Sequence, residues 1–94
     1  MNDFTYLFER CLVETVEEIS DEMGMSHVEL ARKAFPGAAD AGRKWRQVRG
    51  TKKKKPQRLT IDDAASLARV IGRDLPELCF TVSERLKNGW QYNP

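Results

Sequence analysis

Ninety-four residues, 40% apolar and 32% charged, suffice for one globular domain with a modest core and are too few for two. The formal charge of +2 conceals an uneven spread: residues 1–31 carry −7, residues 32–58 carry +10, and residues 59–94 carry −1. No window has the roughly 18 uncharged apolar residues of a membrane span, and one histidine with two separated cysteines offers neither zinc-ligand spacing nor much catalytic material.

The expectation from these bounds is a cytoplasmic, non-enzymatic protein without cofactor, metal or small-molecule ligand. The start, Met1-Asn2-Asp3-Phe4, has neither the basic nor the apolar region of a secretory signal. A middle segment with eleven Lys or Arg against the single acid Asp40 attracts a polyanion, and nucleic acid is the commonest one in a cell. A well-solvated charged face is the plainer alternative.

From Phe4 onward, Leu7, Phe8, Cys11, Leu12, Val16, Ile19 and Met23 recur every three or four positions, with acids filling most of the gaps. This spacing predicts one long amphipathic helix, stopped near Gly24. Its carboxylates Glu14, Glu17, Glu18, Asp21 and Glu22 read as an open solvating face that also repels DNA from the wrong side. Ser26 and Glu29 form a capping-box pattern for a second helix through Leu30, Ala31 and Ala34, which must end before Pro36-Gly37. A third helix starts around Asp40 and buries Trp45 and Val48.

Gly50, Thr51 and the lysine run form a basic loop at 50–58, closed by Pro56. Thr60 and Asp63 open a fourth helix with Ile61, Ala64, Leu67, Ala68 and Ile71, stopped at Gly72. Asp74 caps a fifth, Pro76 fits its first turn, and Leu75, Leu78, Cys79, Val82 and Leu86 line one face. Cys11 and Cys79 both sit among apolar neighbours, the pattern of reduced core cysteines. No stretch alternates with period two for long enough to predict a strand. The fold class is therefore all-α, a compact bundle of about five helices spanning residues 1–94 as one domain.

The run Gly24-Met25-Ser26-His27-Val28-Glu29-Leu30-Ala31 resembles the second helix of the Cro-type, lambda-repressor-like helix-turn-helix family. Trp45-Arg46-Gln47-Val48-Arg49 is similar to the back half of that family's recognition helix. Residues 59–78, from Leu59-Thr60-Ile61-Asp62-Asp63-Ala64 to Leu75-Pro76-Glu77-Leu78, look like its fourth helix and the start of its fifth. The resemblance covers roughly residues 8–80. The departures are a turn at 33–40 several residues longer than usual and Arg49-Gly50-Thr51 in place of Glu-X-Gly, so the register of the recognition helix stays open.

The resemblance implies a small transcriptional regulator, a repressor in the simplest case, reading duplex DNA with its third helix in the major groove. With Trp45 and Val48 inward, steps of about 100° turn Arg43, Arg46 and Gln47 outward as base contacts, since Arg pairs bidentately with guanine and Gln with adenine. Phosphate contacts are expected from His27, Lys44, Arg49, Lys52, Lys53, Lys54, Lys55 and Arg58, with His27 donating more strongly when protonated. Arg32 and Lys33 add to the patch or cap their own helix. Trp45 as a base-stacking platform is the lesser reading, because Phe35 is the only other aromatic in the basic region.

One recognition helix covers about four or five base pairs, so a two-fold homodimer is expected. Its seam is placed on the fifth helix and the tail at 88–94, with Phe80, Trp90 and Tyr92. The alternative is that these aromatics fold onto helix one of their own chain. Two other functions stay open: a protein-interaction or antitoxin-like adaptor on the same fold, and a non-specific or RNA-directed binder.

Overall fold

Capping side chains set where the helices start. The computed structural model describes residues 3–50 and 55–92 and contains α1 (Asp3–Glu22), α2 (His27–Ala34), α3 (Ala41–Arg49), α4 (Ile61–Val70) and α5 (Leu75–Lys87), with no strand among the described residues. Ser26, Asp40, Thr60 and Asp74 each accept a hydrogen bond from the backbone N–H three residues on, which satisfies one otherwise orphaned first-turn donor apiece. The reciprocal half of a capping box forms only at α5, where the Asp74 N–H donates to Glu77 at 3.4 Å. Glu29, expected to play that part at α2, pairs instead with Lys33 one turn on, at 3.1 Å. Gly24, at a φ of 75°, ends α1 in the left-handed region where glycine has no Cβ to clash.

The packing closes a ring. α1 lies against α5 and α3, α2 against α3 and α4, and α4 against α5, so every helix contributes to one core. Cys11, Val16, Leu30, Trp45, Val48, Leu67, Leu78 and Val82 are its largest fully buried members. Trp45, 1% exposed, is the largest of them and sits in the core as its spacing predicts. Burying a side chain of this class contributes about 1.5–3 kcal/mol relative to exposure. Both cysteines are free, Cys11 buried and Cys79 half-buried, and burial pushes both thiols up from their ordinary pKa. No helix of the described residues is long and apolar enough to cross a membrane.

Two features depart from the expectations. The acidic face of α1 is not merely solvated: Arg85 of α5 reaches Glu18 at 2.5 Å and Glu14 at 3.6 Å and donates to the Thr15 hydroxyl at 2.8 Å, while Arg49 of α3 faces Glu17. Three of the five carboxylates therefore serve helix packing, and Asp21 and Glu22 remain exposed. The C-terminal tail also folds back. The Trp90 indole N–H donates to Glu14, and Tyr92 stands edge-on to Tyr6 at 5.8 Å, both on α1 of the same chain. These two aromatics, expected at a dimer seam, have found intramolecular partners, whereas Phe80 is 66% exposed.

Candidate nucleic-acid interface

On α3 the sequence puts two apolar residues three apart and surrounds them with polar ones, which decides the orientation of the helix. Trp45 and Val48 are buried, and Arg43, Arg46 and Gln47 emerge together on the opposite, exposed side. Neither arginine has an acidic partner among the described residues. The Arg46 guanidinium lies back along the helix, and a Cβ at Gly42 would stand in ordinary contact with its Nη1, at 3.6 Å.

The cations flanking this face behave differently. Lys44 reaches Asp63 of α4 at 3.1 Å and stands 4.8 Å from the centre of the Phe35 ring. Arg49 turns the other way, towards α1, with its Nε 3.4 Å from Glu17 and its Cζ 6.0 Å from the Trp45 ring centre. That pairing is electrostatic only, because the buried Nε makes no aligned hydrogen bond. Both residues were expected on phosphates, and both instead tie α3 sideways to its neighbours.

Arg58 departs furthest from that expectation. Its Nε and Nη2 donate to the Glu9 carboxylate at 2.6–3.1 Å, and the Leu59 N–H donates to Glu9 Oε1 at 2.9 Å. Glu9 is only 8% exposed. Burial alone raises the pKa of such a carboxyl, but the bonds from Arg58 and Leu59 and the charges of Arg58 and Arg10 outweigh it and hold the group below the usual glutamate range. Moving Arg58 away from Glu9 would cost this buried carboxylate its bidentate partner, while the Arg58 side chain itself is 72% exposed.

Arg10, the next residue of α1 and 4% exposed, donates to the carbonyls of Val48 at 2.9 Å and Arg49 at 3.3 Å. It thereby neutralises the C-terminal end of α3, where unpaired carbonyls concentrate negative charge. The chain then turns at Gly50, whose φ is 81° and whose Cβ, if present, would meet Pro56 Cγ at 2.6 Å. The Gln57 N–H donates to the Gln47 carbonyl at 2.8 Å and draws the returning strand of chain back to α3. Lys55 is exposed, and Lys52, Lys53 and Lys54 lie outside the described residues.

His27, the first residue of α2, also has a role its sequence position does not announce. Its Nδ1 accepts the indole N–H of Trp45 at 2.9 Å. The proton of the neutral ring is then on Nε2, which is free to donate outward from this exposed residue. A doubly protonated imidazole has no lone pair for Trp45, so the charged form expected to donate more strongly does so at the cost of this bond.

Glu9 and Arg10 hold structural roles that their residue types alone do not announce. Their signal was present: stepping back from Val13 and Val16 at helical spacing, position 9 falls in line with both and position 10 beside them, inside the buried stripe. No group of three or more His, Cys, Asp or Glu among the described residues is arranged to hold a metal ion. Comparison with family models, curated proteins and solved structures finds no match for this chain.

Proposed function

We propose that this chain is a small transcriptional regulator, in the simplest case a repressor, that binds duplex DNA with α3 in the major groove. The observation that carries the reading is the contrast on and around α3. Arg43, Arg46 and Gln47 share one exposed face without acidic partners, while Lys44, Arg49 and Arg58 are paired to carboxylates of other elements. Two guanidiniums and an amide on one face of a helix are the groups that pair bidentately with guanine and adenine edges. Backbone charge is supplied around them by Arg32, Lys55 and the lysines at 52–54, with His27 Nε2–H as a neutral donor.

The test is selection of fragments from a random duplex pool in the presence of excess non-specific DNA. One recovered consensus is the expected result. Recovery of none, or displacement of duplex by single-stranded RNA, rules the reading out.

The reading includes pairing of two chains on half-sites about one helical turn apart. With Trp90 and Tyr92 engaged on α1, the residue of α5 left for that contact is Phe80. Sedimentation at tens of micromolar, alone and with a palindromic duplex, is expected to give a dimer that Phe80→Asp abolishes without changing thermal stability. A monomer in every condition removes pairing from the proposal.

A further inference from the structure

The hydrogen bond between Trp45 and His27 joins the buried side of α3 to the first residue of α2. An indole N–H is a donor only, and Trp45 is almost wholly buried, so this group needs a protein acceptor. His27 Nδ1 supplies it at 2.9 Å, with the two rings 6.2 Å apart and inclined by 32°. On the helix surface Trp45 stands almost opposite Arg43 and Gln47, at about 100° per residue. A roll of α3 that breaks the indole bond therefore swings both of those side chains across the groove.

The other side-chain ties on α3 leave that roll weakly set. Lys44 to Asp63 and Arg49 to Glu17 run through long flexible stems, and Arg10 grips carbonyls at the helix end. Trp45 and Val48 together turn the buried side of α3 inward, and the planar indole, bonded at its edge, is the one of the two whose direction a hydrogen bond sets. We infer that His27 is a specificity-determining positioning residue: through Nδ1 it sets the rotation of α3 and so which base edges Arg43 and Gln47 meet, apart from any phosphate its Nε2–H reaches. The inference rests on the DNA reading above.

Two substitutions separate the two nitrogens. Asn places its amide oxygen as many bonds from Cα as Nδ1 and keeps an acceptor for Trp45, but has nothing at Nε2. Gln reaches as far as Nε2 and lacks the nearer acceptor. Affinity for the selected site and for random duplex is measured with each variant, together with the Trp45 indole N–H resonance of the free protein.

His27→Asn is expected to keep the bonded resonance and the site preference, weakening both DNAs alike. His27→Gln is expected to lose the bonded resonance and roughly five- to tenfold of the preference, the scale of one buried hydrogen bond, with random duplex little affected. Trp45→Phe removes the donor instead of the acceptor. It should lose the same preference, with no further loss when combined with His27→Gln.

A preference undiminished in folded His27→Gln, or lost equally in His27→Asn, overturns the inference. A parent chain with no preferred duplex overturns the DNA reading first and this inference with it, a result visible before any substitution is made.

Discussion

On the proposed DNA reading, the side chains of Arg43 and Gln47 have no internal ion pair to give up, which sets them apart from half of the described bases of the basic stretch. Of its eight described bases, Lys33, Lys44, Arg49 and Arg58 face carboxylates, and Arg32, Arg43, Arg46 and Lys55 do not. Arg43→Ala and Gln47→Ala should each cost about 1–3 kcal/mol on the selected site and little on random duplex, with relaxed discrimination at one base position. Binding titrations on both DNAs check this, and equal weakening would reassign the side chain to a phosphate. Glu9 makes the opposite kind of residue, with everything to lose. Its pKa is lowered in the fold, so its contribution is present above the ordinary glutamate value of 4.5 and is lost as pH falls through the folded value. Glu9→Gln should lower stability by about 1–3 kcal/mol near neutrality through its bonds to Arg58 and Leu59. The gap to the parent should narrow as urea unfolding is repeated at pH values falling below 4.5. A gap independent of pH would show that the carboxylate charge does not matter.

At the scale of elements, the parts of the fold that local chemistry dictates are the parts the sequence makes legible. Ser26, Asp40, Thr60 and Asp74 cap the helices they appear to cap, and the spacing of Trp45 and Val48 correctly orients α3. Partner choice among charges is where reading stops. Lys44, Arg49 and Arg58 look alike beside Arg43 in one dimension, and their acids lie 19, 32 and 49 residues away in sequence, on other helices. The same limit left the return of Trp90 and Tyr92 to α1 as one of two alternatives, since no local rule says where an aromatic tail will lie. Gly50 shows how a local and a distant demand meet at one position. Its left-handed φ and its closeness to Pro56 both exclude a side chain, so Gly50→Ala should destabilise the protein by about 1–3 kcal/mol. Thermal unfolding measures it, and a shift no larger than that of an exposed Gly24→Ala control would show that the Pro56 contact is unimportant.

For the whole molecule, a net charge of +2 is a poor guide to its behaviour near a polyanion, because half of the acids sit on α1. The bases of the central stretch without a carboxylate partner among the described residues, Arg32, Arg43, Arg46 and Lys55, lie on α2, on α3 and just before Pro56. If about five phosphates are neutralised, log K should fall with a slope of about −4 to −5 against log salt. Replacing Lys52, Lys53, Lys54 and Lys55 together by Gln should flatten the slope and leave site preference largely intact. An unchanged slope with a lost preference would show that these lysines read bases. Glu9 and Arg10 add a consequence of another kind. As neighbours on one turn of α1, they grip the chain on both sides of the lysine segment, at the carbonyls of Val48 and Arg49 and again at Arg58 and Leu59. Both ends are thus anchored by contacts that involve none of the residues between them. Doubling the length of such a closed span costs only about 0.6 kcal/mol. On the proposed DNA reading, inserting or deleting lysines there is expected to change electrostatic capture and to leave discrimination by α3 as it is.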